Sequence, residues 1–349
     1  MGVGLKLTLN NFMKLKILIV SERTCIRTIK QAIALSKNHD VHLITKRQVA
    51  GDWLKTVTLY DGTEKRLRDA LKLYDFVDIV YAAAEPSWLV FVIREVLKKK
   101  KLVLDIHDAM IWRTTELEYS SAEERLAFDW VDGVVVPSLS CKTELVKRHP
   151  VRCPIVVLPP YVNECFYYSR QWQRVGGIVY QGRIDLPGAK DFMNYCKYEE
   201  LNELLYKEDI PFTIYMPGEE EQLKKWRAIY EPKATFLKGL PYEEMVAAMG
   251  FYDWGLCGNI KEFREWDLAM PNKLFDYLAG GIPVIALNAE LVGRFVEEQG
   301  VGISVKSIQE IKDRWDERAQ CQKNVFLKRY EFSMEQHIYV VENLLERLV

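Results

Sequence analysis

Pro271-Asn272-Lys273-Leu274-Phe275-Asp276-Tyr277-Leu278-Ala279-Gly280-Gly281-Ile282-Pro283-Val284-Ile285-Ala286 reads as a helix entered through a proline, closed by paired glycines and followed at once by a buried strand. Pro271 suits a first helical position, where its missing N–H costs nothing. Leu274, Tyr277 and Leu278 repeat at i, i+3 and i+4 and give the helix one apolar face. Gly280-Gly281 allows the left-handed turn that ends a helix, and Pro283 prevents the helix from resuming. Val284-Ile285-Ala286 has the short, unalternating apolar character of a parallel strand covered on both faces. Folding leaves Lys273 and Asp276 unexplained. A helix N-terminus with free N–H groups and a nearby lysine is a natural anion site. A carboxylate three residues on can take hydroxyl protons from a ribose, although an i,i+3 surface ion pair accounts for the same two residues.

The same strand–helix alternation extends outward. Lys16–Val20, 41–44, 78–81, 102–104, 133–136 and 155–158 read as strands separated by helical segments, and Pro159-Pro160 stops this half. The pattern restarts at 177–182, 212–216, 234–237 and 254–256, each strand reaching or containing a glycine near its end. Residues 161–176 read as the linker. The expectation is an α/β chain of two doubly wound domains, 13–165 and 172–330, facing each other across a crevice. Ligands of such sheets bind beyond the carboxyl ends of the strands.

At 349 residues the chain has length for two cores, and its 49% hydrophobic and 28% charged residues are ordinary for a globular protein. A formal net charge of -1 gives no global pull toward nucleic acid. The 7 cysteines are scattered without a CxxC, which fits neither a zinc site nor a disulfide framework and suggests a reducing cytoplasm. No run is long enough to span a membrane, and the first dozen residues are too poor in apolar length for a signal peptide. Lys98-Lys99-Lys100-Lys101 could touch anionic headgroups at the inner face of a membrane, while a solvated helix cap explains the run equally simply.

In order and spacing, five segments resemble the retaining glycosyltransferases of the GT-B fold, family 4 type. They are Asp105-Ile106-His107-Asp108, Asp132 to Ser138, Val157 to Asn163, Val179-Tyr180-Gln181-Gly182-Arg183 with the later Lys190, and Pro271 to Ala286. Phe332-Ser333-Met334-Glu335 is similar to the opening of that family's last helix, so the resemblance implies that residues 334–349 pack back onto the first domain. The resemblance covers almost the whole chain.

What it implies for the site is as follows. Arg183 and Lys190, beside Gly182, would hold a donor diphosphate, fixed cations being what a phosphoryl leaving group needs. Taken alone, the two could equally be surface partners of Asp185 and Asp191. Asp276 would bind the donor ribose, with Asn272 and Lys273 facing the phosphates. The family's other glutamate should stand at 268, where this chain has Leu268; Asp267 or Glu265 are the acids at hand. His107 with Asp108 would be the catalytic pair of the first domain, although a lone histidine also serves as a structural hydrogen-bonder. Trp88 and Trp112 could stack on a sugar or belong to the core.

The resemblance therefore implies transfer of a sugar from a nucleotide-sugar donor, UDP- or GDP-linked, to a hydroxyl acceptor with retention of configuration. The acceptor class expected is a glycan or lipid-linked sugar, in polysaccharide or lipopolysaccharide assembly. No metal and no cofactor are expected, and no DxD triplet occurs. Leu268 keeps two alternatives in view, a catalytically inactive GT-B partner subunit and a sugar-nucleotide epimerase of the same fold.

Overall fold

The computed structural model describes residues 13–22, 25–49, 51–84, 88–106, 109, 112, 118–168, 174–184 and 197–349. Two parallel sheets organise them. The first contains β1 (Lys16–Ser21), β2 (Asp40–Thr45), β3 (Thr56–Leu59), β4 (Ile79–Ala84), β5 (Lys101–Ile106), β6 (Gly133–Val136) and β7 (Ile155–Val157), in the order β3-β2-β1-β4-β5-β6-β7. The second contains β8 (Ile178–Gln181), β9 (Phe212–Met216), β10 (Thr235–Lys238), β11 (Trp254–Gly258), β12 (Val284–Leu287) and β13 (Gly302–Val305), in the order β10-β9-β8-β11-β12-β13.

Helices cover both faces of each sheet, as unalternating apolar strands require. In β1, Leu18 and Val20 enter one apolar cluster and Ile17 and Ile19 the opposite one. In β12, Val284 and Ala286 face one side of the second sheet, and Ile285 and Leu287 the other. Each fully buried Val, Leu or Ile contributes roughly 1.5–3 kcal/mol, so the central strands carry much of the stability. This is the doubly wound two-domain architecture of the GT-B fold.

The edge strand β3 carries no apolar run and is half exposed, and nothing in the periodicity signals it. The segment read as a linker contains a 3-10 turn, Glu164–Phe166, and Val162 pairs with Ser333 in an isolated parallel bridge. From there the chain returns to the first domain. Met334, Ile338, Val341 and Leu344 share an apolar cluster with Ile17 and Leu43. Among the described residues no helix is long and apolar enough to cross a membrane.

Strand order reverses between β1 and β4 in the first sheet and between β8 and β11 in the second. At such reversals the helices on either side diverge and leave a crevice at the carboxyl edge. Here the two crevices face each other.

Candidate functional site

A cavity of about 740 Å³ lies between the domains. Cys25, Arg27 and Ala83 from the β1–β4 reversal form part of one wall; Gln181, Gly182 and the start of the helix Asn272–Ala279 form part of the other.

Pro271 is the residue before the helix, with ψ 149°, and Asn272 is the first helical residue, one position later than the proline rule suggests. No side chain caps this helix start, so N–H groups of its first turn face the cavity wall that Asn272 and Lys273 help to form. At its other end Gly281, at φ 86°, makes the left-handed turn. The phenol of Tyr277 holds the helix to the sheet, accepting from the Gln181 amide at 3.2 Å and donating to the Leu256 carbonyl at 3.2 Å.

Lys273 reaches back over β8. Its ammonium lies 4.0 Å from the centroid of the Tyr180 ring and 5.5 Å from that of Trp266, a cation held between aromatic faces. Gly182, at φ 144°, passes close beneath the pair: a Cβ there would stand 3.0 Å from the Tyr180 hydroxyl and 3.4 Å from Lys273 Nζ. A positive charge, a glycine backbone and an uncapped helix start thus converge on one part of the cavity, an arrangement suited to a phosphate.

Asp276 is 3% exposed and lines the cavity. Its Oδ1 accepts from Lys30 Nζ at 2.9 Å and from the Tyr242 hydroxyl at 2.6 Å, and its Oδ2 accepts from Gln181 Nε2 at 2.7 Å. Lys30 belongs to the first domain, on the helix Ile26–Leu35, and also donates to the Pro160 carbonyl at 3.2 Å. Burial pushes the Lys30 ammonium below its usual range even though the charge of Asp276 opposes the shift. The Tyr242 phenol is pushed well up by burial and by Asp276, so it acts as a hydrogen-bond donor.

In the first domain Arg27 grips Asp105 with two nitrogens, Nε at 3.0 Å from Oδ2 and Nη2 at 2.7 Å from Oδ1. Burial works against the guanidinium's charge, but Asp105 outweighs it and raises Arg27 above its usual value. Arg27 Nη1 is buried without a hydrogen-bond partner among the described residues. The residues expected to follow Asp105 in function, His107 and Asp108, lie outside the described residues, as does Lys190. Arg183 is exposed just beyond Gly182, its carbonyl accepting from Tyr180 at 3.3 Å. Trp112 is 1% exposed and belongs to the core, and Trp88 packs against the same cluster.

The short helix Arg264–Leu268 settles where its acids go. Leu268 packs against the first domain's core, and its carbonyl accepts from the Ser138 hydroxyl and, at 3.3 Å, from the Cys141 thiol. Arg264 pairs with Glu144 of the first domain at 2.5 Å. Asp267 is exposed beside the start of the helix Glu290–Gln299, and partial burial together with the charges of Glu290 and Glu262 holds its carboxyl above the ordinary range. It stands outside the cavity wall, whereas Glu265 is part of that wall. Each residue step along a helix rotates the side chain by about 100°, so shifting the acid by one or two positions decides which side it faces.

Sequence reasoning passed over Lys30, Arg27, Tyr242 and Gln181. One signal was present. Arg27, Lys30, Gln31 and Ala34 follow helical spacing, and all four are buried while Ile26, Ile29 and Ile33 are only half buried. A polar stripe of that kind on a helix after the first strand marks a face turned to a crevice.

Residues 193–336 match the family model described as "Glucosyltransferase 3-like, C-terminal domain". No curated protein matches the chain in sequence. Among solved structures, sucrose-phosphate synthase from Thermosynechococcus elongatus superposes with a TM-score of 0.73 at 14% identity, over 96% of this chain and 99% of that one. Anabaena Alr3699/HepE in complex with UDP and glucose has a TM-score of 0.68 at 13% identity, over 96% and 100%. WaaG, a glycosyltransferase involved in lipopolysaccharide biosynthesis, has a TM-score of 0.63 at 11% identity, over 94% and 99%. At these identities the likeness is one of fold.

Proposed function

We propose that the chain is a glycosyltransferase that moves a sugar from a nucleotide-sugar donor to a hydroxyl acceptor. The observation that carries this reading is the meeting of the uncapped 272–279 helix start, Lys273, Gly182 and the Asp276 carboxylate on one wall of the interdomain cavity. The cations take the diphosphate and stabilise the charge that develops as it leaves. Asp276 accepts from the ribose, and the cavity end near Tyr215, Pro217 and Leu240 receives the base. A UDP-linked donor is preferred because a protein of the same fold holds UDP and glucose; GDP-linked sugars come second.

The first domain supplies the acceptor side, with Arg27 and the segment after β5 that carries His107 and Asp108. Retention of configuration, independence of metal and a role in glycan assembly on a cytoplasmic or membrane-associated acceptor are parts of the same proposal. They rest on the motif resemblance. Closure of the cavity would keep water from the donor.

The test is a thermal-shift screen of the pure chain with UDP-, GDP-, ADP- and dTDP-linked sugars, followed by product analysis without acceptor. A donor that binds raises the melting temperature by mass action. Slow hydrolysis to free sugar, lost in Arg183→Ala, supports a transferase, and a new nucleotide sugar identifies an epimerase. Binding without any turnover points to the inactive-partner reading that Leu268 motivates. No binding of any nucleotide sugar overturns the proposal.

A further inference from the structure

Asp276 sits at an unusual depth for a ligand-binding carboxylate. With 3% exposure it needs both a counter-charge and hydrogen bonds to stand ionised. The counter-charge comes from the other domain: Lys30 Nζ, itself 0% exposed, at 2.9 Å. The same ammonium is tied to the Pro160 carbonyl, where the first domain ends, and to Asn272 Oδ1 at 3.4 Å. Three donors occupy the carboxylate, two on Oδ1 and one on Oδ2. A carboxylate offers about four acceptor positions, so one remains for a ligand hydroxyl.

We propose that Lys30 is the positioning residue of the nucleotide site: from the first domain it supplies the charge that keeps Asp276 ionised and oriented, so nucleotide binding requires the domain arrangement that brings the two together. This assignment rests on the nucleotide-sugar reading. Lys30 does not line the cavity, so it acts through Asp276. Other titratable groups near Asp276 are Tyr242, Tyr277, Cys257 and Lys273, and Cys25 and Arg27 lie close to Lys30. Burial pushes both phenols well up and the Cys257 thiol up to about 12, so they stay neutral in the range tested.

The experiment is calorimetric titration of the full chain with UDP-glucose between about pH 6 and pH 8, a range that excludes ordinary carboxyl titration. GDP-, ADP- or dTDP-glucose replaces it if the wild type binds that instead. Neither the diphosphate nor the base of these sugars changes charge appreciably in that window. The wild type, Lys30→Met, Asp276→Asn and the double substitution are compared. Lys30→Met removes the ion-pair partner, and burial then favours the neutral acid. Affinity is expected to fall about tenfold or more at the acid end and to recover as pH rises, whereas the wild type, with its ion pair intact there, shows no loss at the acid end.

In an Asp276→Asn background the further loss of Lys30 is expected to change affinity less than about threefold, because the group it positions is gone. That comparison holds if Lys30→Met alone fails to fold, since replacing both members of a buried pair is far milder than removing one. Lys30→Met binding as the wild type does at every pH overturns the assignment. So does a pH-independent loss, or a further tenfold loss in the double substitution, because Lys30 then acts apart from Asp276. A wild type that binds none of the four sugars overturns the nucleotide-sugar reading itself.

Discussion

The carbonyl oxygen of Leu268, in the second domain, accepts the hydroxyl proton of Ser138, in the first. The leucine side chain beside it packs on the first domain's core. Position 268 is therefore part of the joint between domains, with an apolar neighbourhood. Leu268→Glu, which restores the acid that the family resemblance places here, is expected to lower stability by about 1–3 kcal/mol and to raise no transfer rate, because it presses a carboxylate against that core. Denaturant unfolding and initial rates check both halves.

Glu265 and Asp267 should separate cleanly. Glu265 helps to form the cavity wall, whereas Asp267 stands outside it beside Glu290 and Glu262. Glu265→Gln is expected to reduce turnover at least tenfold with little change in melting temperature. Asp267→Asn, which removes a carboxyl held above its ordinary value, is expected to leave the melting temperature unchanged or slightly raised and turnover within twofold. Steady-state kinetics and thermal melts on the two variants decide the matter.

Lys273, held between Tyr180 and Trp266, predicts a split between nucleotides. Lys273→Ala is expected to weaken UDP by about 1–3 kcal/mol and uridine by much less, as a charge-assisted contact to phosphate requires. Calorimetry with both ligands provides the comparison. Equal losses would place the lysine's effect on packing instead.

The Glu144–Arg264 pair crosses the domains and gives a pH dependence with a definite sign. Burial alone would raise the Glu144 carboxyl, but Arg148 and Arg264 outweigh it, and the folded-state value lies below the ordinary 4.5. A depressed carboxyl stabilises the fold above its unfolded value and loses that contribution as pH falls through its folded value. Stability is therefore expected to decline on acidification below about pH 4.5. Arg264 is 32% exposed, so solvent screening keeps the pair's share near or below about 1 kcal/mol. Glu144→Gln should remove that share at neutral pH and flatten that part of the acid limb, as urea unfolding at several pH values would report.

Much of the architecture was legible because buried parallel strands advertise themselves. Ile17–Val20 and Val284–Leu287 are apolar at every position, and only strands covered on both faces tolerate that. Thr56–Leu59 was not legible, since an edge strand with half-exposed threonines has no such pattern. The 272–279 helix was read with its end at the glycines, and its start shifted by one residue, the usual uncertainty where propensity alone sets a boundary.

The sequence by itself determined the two doubly wound halves and the segment that contributes the second domain's cavity wall, because both follow from local periodicity and helix punctuation. Only the tertiary structure decided what Asp276 does within that wall. Its partners are 246, 95 and 34 residues away in the chain, at Lys30, Gln181 and Tyr242. It decided likewise that Asp267 turns outward and Leu268 joins the domains. A carboxylate's role depends on which charges and donors folding brings within 3 Å of it, and no local pattern encodes neighbours so distant.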